Sequence, residues 1–243
     1  MNNTVSEILH NSNRIVFITG SGTVFECGGE DPWSGDKYFR TAKEYNVGPE
    51  ALLSAGEYSS RKERFYRYYK TEILSVLPKP NEIYSIIKEI ENEGRLEACI
   101  SMNIFGLEKL ASISKVIEIA GNLYDNYCPG CYNKFSVDYI LNSKAVPVCE
   151  KCKKALRPNI RLLGERVNNI LYTEAAVACQ HADAVIILGA SLYSSKIQFI
   201  TGNYNGSRLI LFAKEENHAD KFADAVIYGN ITENLKSYYY KQS

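Results

Sequence analysis

Five short apolar runs, rich in Val and Ile, stop at a glycine or another small residue: RIVFITG (14–20), ACIS (98–101), KVIEIAG (115–121), AVIILG (184–189) and RLILFA (208–213). Unbroken β-branched runs of this length predict strands buried on both faces, as in a parallel sheet. Helical periodicity lies between some of them. In NEIYSIIKEIENEG (81–94), Ile83, Ile86, Ile87 and Ile90 fall at i, i+3, i+4 and i+7, with Asn81 placed to cap the start and Gly94 to stop the end. LYTEAAVACQHA (171–182) reads as a second helix that leads directly into a strand.

Alternating strands and helices predict a doubly wound α/β sheet, whose ligand crevice lies outside the carboxyl ends of its strands. The loops after residues 19, 101, 119 and 189 are therefore the expected site. Two regions break the alternation: 36–79, Tyr-rich and helical in pattern, and 122–157, which holds four cysteines. The expected layout is a sheet domain from 1–35, 80–121 and 158–243, with 36–79 and 122–157 forming a smaller domain. The tail SYYYKQS is expected to fray.

Those four cysteines form two pairs, Cys128-x-x-Cys131 and Cys149-x-x-Cys152. Two knuckles so spaced can place four thiolates tetrahedrally around zinc. A redox dithiol would need only one pair. Four sulfur ligands leave no open position, so the zinc is expected to be structural. Cys99 and Cys179 stand in apolar contexts as core residues, and Cys27 lies in a loop near the expected site.

Charge narrows the functional class little. Twenty-eight basic residues balance 28 acidic ones, so no overall electrostatic footprint for nucleic acid or an anionic membrane is present. The longest apolar runs, AVIIL among them, are too short to span a bilayer. The N-terminus lacks a basic segment followed by an apolar run. The expectation is a cytoplasmic protein with reduced, metal-binding cysteines.

The first strand runs into ITGSGTVFECGG, with Gly20, Gly22 and Gly28. Glycines there either let backbone amides approach a pyrophosphate or serve the geometry of the turn. A second loop, LGASLYSS, ends another strand with Gly189 and Ser191, and hydroxyl side chains suit phosphate or ribose oxygens. Two such loops on one sheet favour dinucleotide binding.

The order of glycine loop, helical insertion, SMNIFGLEKLA, EIAG, two C-x-x-C pairs, RPNIRLLGE and LGASL resembles the sirtuin (Sir2-like) family across nearly the whole chain. The resemblance implies a Rossmann-like domain for NAD and a small domain with a zinc ribbon and helices. It also implies NAD-dependent deacylation of lysine or ADP-ribosyl transfer. By position, Gly20, Ser21, Gly22 and Glu26 would line the NAD loop, and Asn103 would sit beside the nicotinamide ribose. Gly189 and Ser191 would lie near phosphate or adenosine ribose, while Leu163, Gly164 and Glu165 would flank an acyl-peptide groove. An acylated or acidic peptide is the expected partner, with arginine at 161 where the family has valine.

The departures fall on the chemistry. The family's strand ending in HG is Ala120-Gly121 here, so the histidine that acts as general base is a methyl group. The family motif TQNID becomes Ser101-Met102-Asn103-Ile104-Phe105, losing an amide and a carboxylate, and Glu108 stands where TQNIDGLH has its histidine. EDPWSG replaces an Asp-Phe-Arg segment, and Ala213 stands at an adenosine-ribose asparagine. Glu118 points to the same strand face as Ala120 if the strand is regular. Met102, Phe105 and Trp33 either close the nicotinamide end as core or receive an apolar ligand. His10, His181 and His218 lie off the expected loops.

Three functions follow from the resemblance: a binding module that holds zinc and NAD or ADP-ribose without efficient deacylation, an NAD-consuming ADP-ribosyltransferase or hydrolase, and a weak deacylase. Removing a general base commonly lowers a rate about 10²–10⁴-fold. Glycosidic cleavage of NAD depends more on orientation and electrostatics, which Asn103 could serve.

Overall fold

Every residue of Ile15–Thr19 and of Ala184–Leu188 is buried, as their unbroken apolar runs require of strands covered on both faces. The computed structural model describes residues 2–240. In chain order its strands are β1 Ile15–Thr19, β2 Leu96–Ser101, β3 Val116–Glu118, β4 Gly121–Tyr127, β5 Lys134–Phe135, β6 Arg157–Ile160, β7 Ala184–Leu188, β8 Leu209–Ala213 and β9 Ala225–Tyr228. The helices are α1 Asn2–Asn11, α2 Ser21–Glu26, α3 Gly35–Tyr45, α4 Pro49–Leu52, α5 Ala55–Ser60, α6 Lys62–Tyr68, α7 Glu82–Asn92, α8 Leu107–Leu110, α9 Val137–Asn142, α10 Asn169–His181, α11 Ser195–Thr201 and α12 Ile231–Tyr239. They fall into two units.

The first unit comprises the described residues up to Gly28, Pro78–Ile119 and those from Asn168 onward. Its sheet is parallel throughout, in the order β3-β2-β1-β7-β8-β9. Counting only these six strands, that is the 3-2-1-4-5-6 order of a dinucleotide-binding sheet, and the strand order reverses between β1 and β7. Val16, Ile18, Ile100, Val185, Ile187 and Leu211 form one face of the core, against Ala175 and Cys179 of α10. On α7 the four predicted isoleucines are buried and the Asn81 side chain accepts the amide of Ile83. Gly94 has φ +77°, the left-handed stop expected of it.

The second unit holds Gly29–Leu77 and Ala120–Val167. α3 to α6 make the Tyr-rich insertion, and a π-helical turn, Tyr69–Ile73, extends α6. A three-stranded antiparallel sheet, β5-β4-β6, carries the cysteine pairs. Tyr58 and Tyr66 both donate to the carbonyl of Leu156, at 2.8 and 2.5 Å. Arg157 lies over the ring of Tyr58, 4.9 Å from its centroid.

Three expectations change. KVIEIAG is not one strand: β3 ends at Glu118, and Gly121 opens β4 in the other unit. The reason is a close backbone approach, because a Cβ on Gly121 (φ +78°) would lie 2.0 Å from the carbonyl oxygen of Asn159. Residues 158–167, assigned by sequence to the sheet domain, group with the second unit, because β6 pairs with β4. The start of the tail does not fray: Ser237 to Tyr239 complete α12, and Tyr239 and Tyr240 reach Glu93 and Glu89 on the α7 side. Residues 241–243 lie outside the described residues.

Candidate functional site

The two glycine loops meet where the strand order reverses. Gly20 N donates to Leu188 O at 2.9 Å, and Gly22 N donates to Gly189 O at 2.8 Å. A Cβ on Gly20 would stand 2.4 Å from the oxygen of Gly189, and one on Gly22 would stand 2.5 Å from its Cα. Gly189 itself has φ +61°, and its Cβ would meet Gly22 at 2.5 Å. Close packing of loop on loop therefore requires all three glycines, independently of any ligand. Gly28 (φ +77°) faces open space and needs glycine only for its backbone angle.

Beside this junction lies a crevice of about 800 Å³, lined by Ser21, Gly22, Gly189 and Ser191 and closed by Ala213 and the loop that follows it. Lys214 is the one basic residue in the lining, set against Glu26, Glu215, Glu216 and Asp220. Glu26 is held: its two carboxylate oxygens accept from Ile231 N and from the Thr232 hydroxyl, both at 3.0 Å, securing the first turn of α12. Asp220 likewise accepts from Asn217 N and from the Tyr228 hydroxyl. Glu26 thus lines the crevice with both carboxylate oxygens engaged by the start of α12.

After β2, the Asn103 side-chain oxygen accepts from Phe105 N at 2.8 Å, while its amide nitrogen is buried and without a partner among the described residues. Such an orphan donor is costly unless water or a ligand satisfies it. Phe105 is 4% exposed and Met102 packs against the core, so these two fill space as interior residues. Trp33, in the second unit, is 48% exposed and is no part of a core.

Glu108, at the start of α8, is fully buried. Burial pushes its carboxyl above the usual range, and the Thr19 hydroxyl donates to one oxygen while the other has no partner among the described residues. Burial also pushes the Cys27 thiol up to about 11, which opposes a nucleophilic role. Glu118 pairs with Lys109 at 2.6 Å, as a structural acid would. All three histidines belong to the first unit: His10 at the end of α1, His181 at the end of α10 and His218 after β8, where its ring meets Tyr193 at 5.0 Å.

In the second unit the four predicted cysteines converge, with all sulfurs within 4.8 Å of one another. The Cys131 and Cys149 sulfurs are 3.7 Å apart, close to the edge of about 3.8 Å that a tetrahedron with Zn–S bonds of about 2.3 Å requires. The two knuckles repeat one design. Tyr132 (φ +59°) and Lys153 (φ +58°) take the left-handed conformation after each second cysteine. Their amides return to the carbonyls of Cys128 and Cys149, and the amides of Gly130 and Cys152 point at the sulfurs of those same cysteines. The set fits a closed, structural zinc, as expected.

Ala120 follows β3 and contributes only a methyl group. Its carbonyl accepts from Arg161 N at 2.8 Å. Leu163 is tied by its backbone to Leu53 and Ala55, and its side chain is exposed. Gly164 (φ +86°) turns the chain so that Glu165 folds back, accepting from Leu162 N and pairing with Arg157 at 2.5 Å. Glu165 is thus a staple of its own loop.

A parallel sheet with the dinucleotide-binding strand order, joined in sequence to a Cys₄ module, defines a narrow class of proteins. Comparison identifies it: the Sir2 family model matches residues 20–195, and the chain belongs to that family. An "NAD-dependent protein deacetylase" of Clostridium perfringens is 33% identical over 94% of both chains. Among solved structures, a Sir2 histidine-to-alanine variant with deacetylated p53 peptide and 3'-O-acetyl ADP ribose matches with TM-score 0.81 and 30% identity, over 96% of this chain and 95% of that one. A Sir2–p53 peptide–NAD⁺ complex matches at 0.79 and 28%, over 97% and 96%.

Proposed function

We propose that this chain is a sirtuin that holds a structural zinc and binds NAD or ADP-ribose in the crevice beside β1 and β7, without efficient deacylation. Ala120 carries the argument. At the family's base position a methyl group can neither take a proton from a ribose hydroxyl nor orient one.

When bound, NAD supplies an activated glycosidic bond whose cleavage releases nicotinamide. The residues here contribute binding and orientation. Ser21 and Ser191 offer hydroxyls to the phosphate and ribose region, and the orphan amide of Asn103 offers a donor to a ribose oxygen. Phe105 and Met102 replace the polar groups that would hold nicotinamide, which favours ADP-ribose over intact NAD. The acidic loop after β8 favours ribose hydroxyls over an additional phosphate. The Asn103 amide also supports a second reading, slow NAD hydrolysis or ADP-ribosyl transfer, because positioning a ribose needs no base.

The test measures nicotinamide release from NAD with an acetylated peptide, alongside the C. perfringens relative, while calorimetry follows ADP-ribose. The expected result is ADP-ribose binding with turnover at least about 10²-fold below the relative. Turnover within tenfold of it would sink the proposal. Nicotinamide release without deacylation would transfer support to the second reading.

A further inference from the structure

On the second unit's sheet, a cation that nothing in the described chain neutralises stands beside the missing base. The bond from Arg161 N to Ala120 O continues the antiparallel register in which Gly121 faces Ile160. Residues opposite one another in such a pair project from the same face, with Cβ atoms about 4.5–5.5 Å apart. The Arg161 side chain therefore starts next to the Ala120 methyl.

Five other arginines of this unit have partners. Arg157 is held by Glu165 and two carbonyls, Arg61 and Arg64 by Glu57, Arg40 by Glu30, and Arg67 lies over Tyr45. Arg166 has none among the described residues and is exposed, so water serves it. Arg161 is half-buried, and its guanidinium has no hydrogen bond or ion pair among the described residues. A partly desolvated cation without an acceptor is unfavourable. Its planar fork of donors matches a carboxylate in two-point contact.

We propose that Arg161 is a specificity residue for a carboxylate on the acylated peptide, presented where the base would otherwise stand. The inference rests on the sirtuin reading of Ala120 and of the peptide partner. The carboxylate has two chemical sources: the far end of a dicarboxylic acyl chain, or an acidic side chain beside the acylated lysine.

The experiment uses the full zinc-loaded chain and fluorescence anisotropy with three labelled peptides of one sequence. One carries acetyl-lysine, one carries lysine acylated with a four-carbon dicarboxylic acid, and one carries acetyl-lysine with a neighbouring aspartate. At least one carboxylate peptide should bind about tenfold more tightly than the plain acetyl peptide, and whichever does so identifies the source. Arg161→Val should reduce that preference to about twofold or less, and Arg161→Lys should retain part of it. Equal affinity for all three peptides, a preference that survives Arg161→Val, or no peptide binding overturns the proposal. ADP-ribose calorimetry on the same preparations judges the cofactor reading separately. If Arg161→Val misfolds, the Arg161→Lys and wild-type peptide series still decide the outcome.

Discussion

Thr19 Oγ1 donates a 2.5 Å hydrogen bond to Glu108, joining the last residue of β1 to a carboxyl with no access to solvent. The Thr19 hydroxyl precedes the glycine loop by one residue, so the charge state of Glu108 bears directly on that loop. Around the carboxyl lie the Ser101 hydroxyl and three titratable groups that feel its field: Cys27, Cys99 and Tyr84. The carboxylate of Glu118 also favours the protonated form of Glu108.

Burial raises the folded-state pKa of Glu108, so the native chain retains a proton that the unfolded chain has released. The resulting stabilisation is complete below the ordinary carboxylate range and declines as pH rises through the raised value. Glu108→Gln mimics the neutral acid and does not titrate. Urea unfolding from pH 5 to pH 8 should show wild-type stability falling relative to the variant. Parallel profiles would mean that the carboxyl does not hold its proton.

Glu91 works in the opposite direction. Burial pushes its carboxyl up, but Lys88 and the amides and hydroxyl of Ser114 and Lys115 outweigh that effect and lower it to about 2. Its contribution is present above the usual carboxylate range and disappears as pH falls through about 2. Glu91→Gln should cost about 1–3 kcal/mol at pH 7, with the deficit shrinking below pH 4, measured by chemical unfolding.

Gly189→Ala should destabilise the first unit by at least about 2 kcal/mol, since it adds left-handed strain to a collision with Gly22. Gly28→Ala meets only the backbone penalty and should cost about 1 kcal/mol. Thermal unfolding of the pair would show whether loop-on-loop packing dominates.

Asn103→Ala should weaken ADP-ribose binding about three- to tenfold through loss of the orphan donor, and should cost about 0.5–1.5 kcal/mol of stability because Phe105 N loses its acceptor. A large fall in stability with unchanged affinity would assign Asn103 to its turn alone.

Zinc removal by a strong chelator at neutral pH should melt the second unit. Cys131→Ser should do the same at a lower chelator concentration. Far-UV circular dichroism and metal release, followed together, should coincide.

The sequence revealed the parallel strands because their apolar runs are unbroken, and the metal centre because paired cysteines have few other uses. α7 was legible to its caps. β9 was missed because Ala225–Tyr228 is short and none of its residues is fully buried. α12 was missed although Ile231, Leu235 and Tyr239 recur at helical spacing, because its tyrosines resembled a loose tail. Glu26 and Glu165 sit on motif positions, yet their carboxylates are taken by neighbours that only the folded chain brings near. Arg161 was visible as a substitution, but its lack of a counter-ion was not.

Leu156 offers one carbonyl to two phenols, Tyr66 buried and Tyr58 half-buried, four residues after the last zinc-binding cysteine. Losing the metal would loosen that carbonyl and leave two tyrosine hydroxyls of the aromatic helices without an acceptor. Full zinc occupancy in a preparation is therefore a measure of how much protein is correctly folded. It says nothing of turnover, and an inactive, metal-replete sample cannot be dismissed as damaged enzyme.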